Sequence, residues 1–205
     1  MYTMNEILPL FAKPVYVSTP AFVVNQYKEV IEYCKNSEYY INVGQNFASD
    51  RRDVLLDPVF KDINELIHTA IDHYVKKIMM WTSNEFYVTQ SWINVNPQNT
   101  EHHIHYHVNS ILSGTFYLQT NEYDNIIFYN KSEQAMLQIE RSSFNIWNSD
   151  YWKVPVTDNT IIIFPSSLSH SVAKNECDNN RISIAFNIFA RGEFGSVENL
   201  TYLKL

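Results

Sequence analysis

The stretch that most constrains this chain is Glu101–Gly114, EHHIHYHVNSILSG. Histidine is scarce, seven residues in 205, yet four of the seven stand at His102, His103, His105 and His107, and a fifth is His170. In a β-strand, side chains at i and i+2 share a face. An extended segment therefore puts His103, His105 and His107 on one face and His102 on the other. Two imidazoles two residues apart can grip one metal ion if a third ligand arrives from another strand. His170, in FPSSLSHSV, is the natural third.

Three imidazoles cover one side of an ion and leave the other open. Such a site suits non-haem Fe(II), with zinc held by three histidines and a water as the competing occupant. Cys34 and Cys177 both lie away from the cluster in sequence, so a thiolate site is excluded. Arg181 follows His170 across a polar turn, and Ser183, two residues on, shares its face. A guanidinium beside a hydroxyl is a fork for a carboxylate. Metal and fork in one cavity imply a small dicarboxylate held between them.

The surroundings read as one domain, residues 1–205, with an N-terminal helical support region (1–80) and a β-rich core (85–190). Phe22, Val23, Tyr27, Val30, Ile31 and Cys34 recur at helical spacing between Ala21 and about Lys35. Pro58 starts a second helix running to about Met80, with Phe60, Ile63, Ile67, Ile71, Val75 and Ile78 as its buried stripe. Residues 36–56 read as a polar, irregular connection. Beyond Trp81 the period drops toward two. Strands are expected at Val15–Val17, Glu85–Asn96, Ile104–Asn109, Ile111–Thr120, Asn125–Tyr129, Ala135–Ile139, Ser143–Trp147, Lys153–Val156, Asn159–Phe164, Ser171–Ala173 and Arg181–Ala190. Many short strands separated by Asn- and Asp-rich turns imply a sandwich or barrel, with both helices packed outside one sheet. His68 and His73, on the second helix, point to different faces and read as surface residues.

A net charge of −7 without a strong Lys/Arg cluster argues against binding to a nucleic-acid backbone. No apolar run approaches the length of a membrane span. The two scattered cysteines read as reduced thiols, and the chain as cytoplasmic.

The segments EHHIHYHVNSILSGTFYL and FPSSLSHSVAKNECDNNRISIAFN resemble the Fe(II)- and 2-oxoglutarate-dependent oxygenases. Within that superfamily the chain is similar to a small bacterial and phage branch related to prolyl hydroxylases. The resemblance implies a mainly β fold, a double-stranded β-helix of the jelly-roll, cupin-like kind, with the N-terminal helices on one sheet. It assigns the metal ligands to His105, His107 and His170, fixed by their distance to Ser110 and Ser113–Gly114. It assigns the 2-oxoglutarate arginine to Arg181, with Ser183 as the serine of the R-x-S pair and Tyr117 near the same carboxylate. Asn94 is a candidate on the pocket wall. No catalytic residue is implied beyond the metal centre; the cofactors are Fe(II) and 2-oxoglutarate, with O2 and a peptide side chain or small molecule as partners. The chain departs from most of the superfamily in carrying His107 where a carboxylate ligand is usual, which makes the metal site one unit more positive. Two other readings fit the residues: a cupin-like zinc or manganese enzyme, and a jelly roll that binds without catalysis.

Overall fold

The computed structural model describes residues 7–21, 27–130 and 139–205. Two β-sheets face each other, as expected for a double-stranded β-helix. The larger has seven strands in the order β1 (Tyr16–Ser18), β9 (Ile161–Pro165), β6 (Leu112–Gln119), β11 (Arg181–Arg191), β4 (Glu85–Asn96), β3 (Phe47–Ser49) and β2 (Tyr39–Ile41). The smaller has four, in the order β5 (His102–His105), β10 (His170–Val172), β7 (Asn125–Tyr129) and β8 (Tyr151–Pro155). A C-terminal hairpin of β12 (Glu193–Phe194) and β13 (Leu203–Lys204) completes the described strands.

Period-two alternation in the long strands sorts two cores. Ile182, Ile184, Phe186 and Ile188 of β11, Ile93 of β4, and Leu112, Phe116 and Leu118 of β6 face outward from the large sheet. They pack against α1 (Tyr27–Asn36) and α2 (Lys61–His73) through Val30, Cys34, Ile63, Ile67, Ala70 and Ile71. The other face of the sheet turns inward, where Tyr117, Ile126, Phe128, Val156, Ile162, Phe164 and Leu168 close one end of the space between the sheets. The helices thus press the large sheet from outside and leave its inner face to polar side chains.

Gly114 sits at a close approach in this packing. A Cβ there would stand 2.3 Å from the Phe186 ring and 2.7 Å from the Ile162 carbonyl oxygen. Gly114→Ala is therefore expected to cost about 1–3 kcal/mol, the usual range for overpacking a filled core. Chemical denaturation checks this; a midpoint unchanged from the native protein would mean that the strands separate freely at this position.

The expected strands at Glu85–Asn96 and Asn125–Tyr129 match β4 and β7 in extent. Several expectations need correction. The stretch 36–56 is not irregular throughout: it contains the β2–β3 hairpin, added to the edge of β4. A 3-10 turn at Val54–Leu56 also falls in that stretch, and the second helix is broken into a 3-10 turn at Pro58–Phe60, α2, and a π-helical turn at Tyr74–Ile78; Ile78 is exposed. The π-turn rotates the end of the helix, which takes Ile78 off the buried stripe. Ser143–Trp147 is a turn rather than a strand. The Asn145 side chain accepts from the Trp147 N–H, the Asn148 side chain accepts from the Asn145 N–H, and this local bonding overrides the aromatic alternation. The first part of the N-terminal helix (Phe22, Val23) and most of the Ala135–Ile139 strand lie outside the described residues. His68 and His73 are exposed, as expected.

Candidate metal centre

The histidine-rich segment is extended only as far as His105, so His107 leaves from a loop beyond the strand end. That loop is anchored: the His107 N–H donates to the Ser166 carbonyl oxygen at 3.0 Å. β5 pairs with β10 so that His105 stands opposite His170, which brings the upstream and downstream histidines together. One ligand nitrogen from each of His105, His107 and His170 lies within 4.8 Å of the others. The ring of His105 lies 4.3 Å from that of His170 and 5.1 Å from that of His107.

The tautomers follow from the backbone. Nδ1 of His105 lies 2.8 Å from the His103 carbonyl oxygen, and Nδ1 of His170 lies 3.0 Å from the Leu168 carbonyl oxygen. A carbonyl only accepts, so each Nδ1 carries the proton and donates it. Each Nε2 is then left with a lone pair for a metal, the arrangement that fixes ring orientation in metal-binding histidines. The third ring is held by the Asn187 side chain. Burial pushes the His107 imidazole down to about 4 and the His170 imidazole down to about 3, with neighbouring His105 adding to both shifts. Burial lowers His105 too. All three are neutral at pH 7, the state that ligates. The donor set fits a divalent ion with open positions.

A hydroxyl network explains why serines recur near the histidines. The Ser113 and Ser166 hydroxyls are 2.8 Å apart, Ser166 donates to Ser110 at 2.9 Å, and Ser113 donates to Asn187 Oδ1 at 3.0 Å. Ser110 and Ser113, which set the register of the histidine motif, thus tie β6 and the loop after β9 to the residue that orients His107.

The expected face assignment is corrected by a register shift between His170 and Val172, whose partners are His105 and His102. This bulge puts His102 and His105 on the same side. Both line the cavity, whereas His103 does not, and the His102 ring stacks on His105 at 4.4 Å. His102 Nε2 accepts from the Asn42 amide at 3.3 Å, so the β2–β3 hairpin abuts the metal end of the pocket. Burial, followed by the neighbouring histidines, drives His102 down to about 2.

The cavity between the sheets is lined by all three candidate ligands. Asn94, Tyr117 and Ser183 line it as expected. Trp92, Asn96 and Thr115 line it as well and were not singled out from the sequence. Trp92 and Asn96 are legible in retrospect, since they alternate with Asn94 along SWINVN. Two cavity groups lack internal partners: the Tyr117 hydroxyl and Asn94 Oδ1 are buried without a hydrogen bond. A buried orphan hydroxyl costs stability unless a ligand satisfies it. Tyr117 is therefore a natural donor to a bound carboxylate. Burial raises its phenol above the ordinary range, while nearby Arg181 opposes that shift.

Arg181 is the departure. It shares the inner face of β11 with Ser183, but it stands behind the cavity wall, 1% exposed, rather than on its lining. Its Nη1 donates to Asp124 Oδ1 at 2.5 Å, and its Nη2 donates to the Ala173 carbonyl oxygen at 2.9 Å. Asp124, at the foot of β7, was read only as a turn residue, and its sequence position carries no sign of this pairing.

Paired sheets, helices on one outer face, and three imidazoles converging in the cavity between the sheets define the class: a double-stranded β-helix with a candidate metal site. Residues 90–187 match the family described as "Putative 2OG-Fe(II) oxygenase", and every residue lining the cavity falls within that segment. That match, over just under half of the chain, makes the chain similar to the 2OG-Fe(II) oxygenases, and the three imidazoles could hold the iron. No curated protein matches the sequence. Among solved structures, the chain is similar to a Pseudomonas putida prolyl-4-hydroxylase (10% identity, TM-score 0.60, covering 89% of this chain and 96% of that one). It is also similar to HygX from Streptomyces hygroscopicus with nickel, 2-oxoglutarate and hygromycin B bound (12% identity, TM-score 0.59, 86% and 82%). A third is the epimerase SnoN in complex with Fe3+, alpha ketoglutarate and nogalamycin RO (10% identity, TM-score 0.62, 86% and 79%). At these identities the likeness establishes the fold. Among the described residues, no helix is long and apolar enough to cross a membrane.

Proposed function

We propose that this chain hydroxylates a peptide side chain or a small molecule, holding Fe(II) through His105, His107 and His170. The observation that carries this reading is the convergence of three imidazoles, two of them with Nδ1 tied to backbone carbonyls, in the cavity between the sheets. Bound Fe(II) with 2-oxoglutarate and O2 supplies the oxidation of a C–H bond, with succinate and CO2 as coproducts. The protein's own groups bind and orient. Tyr117 and Ser183 donate to the far carboxylate of 2-oxoglutarate, and Arg181 sets the positive potential behind them. Asn94, with its free Oδ1, meets a donor on either ligand. Trp92, Ile126, Phe164 and Val172 line the space around the metal with apolar surface and keep water out.

Both substrate classes have support in the similar structures, one a prolyl-4-hydroxylase and another bound to hygromycin B. The β2–β3 hairpin, with Ile41 and Val43 exposed beside the His102 end, supports that side as the substrate entrance. Residues 1–205 are taken as one domain, supported by the apolar core that the N-terminal helices share with the large sheet. The test is coproduct analysis in air: protein supplied with Fe(II), 2-oxoglutarate and ascorbate is expected to form succinate. Oxygen-independent activity with zinc, and no succinate, would replace this reading with that of a cupin-like zinc enzyme.

A further inference from the structure

The buried Arg181–Asp124 pair serves a balance of charge that the rest of the pocket makes visible. Asp124 is 4% exposed and both its oxygens are committed: Oδ1 to Arg181, and Oδ2 to the Asn121 backbone N–H at 2.8 Å. Two of the guanidinium's five N–H donors are committed in turn, to Asp124 and to Ala173. The pair is neutral as a unit. At the other end of the cavity the three candidate ligands are neutral imidazoles. A divalent cation there and a dianion between the two ends sum to zero without help from Arg181. Arg181 alone would leave one excess positive charge on a side chain only 1% exposed, which is costly.

We propose that Asp124 is a positioning residue for the dianionic cosubstrate: an internal counter-ion that occupies Arg181 and sets how strongly the far end of the pocket attracts a carboxylate. It does at the far end what a carboxylate at position 107 would do at the metal, so the two positions compensate. The inference rests on the oxygenase reading above. Its consequence is that the native chain restrains its own affinity for 2-oxoglutarate, because Asp124 offsets the positive potential that Arg181 would otherwise set behind Tyr117 and Ser183.

The test is calorimetric titration of protein loaded with Mn(II). The ligands are 2-oxoglutarate and 2-oxobutyrate, which has the same keto-acid end and no far carboxylate. In Asp124→Asn, whose amide oxygen can still accept from Arg181, 2-oxoglutarate is expected to bind about tenfold tighter, the scale of one unit-charge change in a partly screened site. Binding of 2-oxobutyrate should not change, a selectivity that a general loosening of the fold would not produce. His107→Asp should weaken 2-oxoglutarate, and adding Asp124→Asn to it should restore native affinity. Asp124→Ser, which opens space beside the guanidinium, is the second variant should the asparagine form fold poorly, and it is expected to act in the same direction. Weaker or unchanged binding of 2-oxoglutarate in both position-124 variants, or an equal change for the two keto acids, would overturn the inference alone. A native protein that takes up Mn(II) but binds neither keto acid would overturn the oxygenase reading, and the inference with it.

Discussion

Arg181→Ala is expected to destabilise the protein by about 3–5 kcal/mol, the range for removing one partner of a buried ion pair. The cause is Asp124 rather than any ligand. Its side chain is 3% exposed, and truncation of the arginine strands a carboxylate with one backbone donor and no counter-charge. With total stabilities of about 5–15 kcal/mol for native domains, a loss of this size shifts the unfolding midpoint far down. Urea denaturation of the apo protein measures it. The sequence alone assigns this residue only to a carboxylate clamp, for which truncation raises the 2-oxoglutarate requirement and leaves the fold intact. Pairing Arg181→Gln with Asp124→Asn is expected to recover much of the lost stability, since no charge is then left stranded. A single alanine variant as stable as the native protein would show that the pair contributes nothing to the fold.

His170→Ala carries the other large effect. It removes the ligand that comes from the downstream half of the chain, and His105 and His107 alone cannot hold an ion in a facial arrangement. Loss of an outer hydrogen-bond partner typically lowers metal affinity by about 10–100-fold, so loss of the ligand itself is expected to exceed about a hundredfold. Competition with a chromophoric chelator checks the affinity, and succinate release checks turnover, which should vanish. The fold should survive, because His170 bonds only to the Leu168 carbonyl and packs on Phe164 and Phe128. Unchanged metal uptake in this variant would remove His170 from the ligand set.

Much of this was legible in the chain, and the exceptions have physical reasons. The β4 and β11 strands are readable because a sheet packed by helices on one side must alternate, and Ile93, Ile184 and Phe186 do so against Asn94, Ser183 and Ala185. The convergence of His105 and His170 was readable because metal chemistry demands a third ligand from elsewhere. The β2–β3 hairpin was not, since Phe47–Ser49 is held by pairing to β4 and Tyr39–Ile41 by pairing to Phe47–Ser49, rather than by their own alternation. The orientation of His102 was lost to a bulge, which adds one residue to a strand and reverses every face beyond it. Asp124 was hidden for a different reason. Its partner is 57 residues away, and a lone aspartate beside Asn125 looks like turn chemistry until the sheets are assembled.

On the function proposed, one cavity brings a metal and 2-oxoglutarate together, with the imidazoles at one end and Tyr117 and Ser183, backed by Arg181, at the other. The most direct test is to add 2-oxoglutarate to Fe(II)-loaded protein without oxygen and record the visible spectrum. A weak charge-transfer band that needs both components and is absent from His170→Ala is expected. No band in native protein that has demonstrably taken up Fe(II) would contradict it.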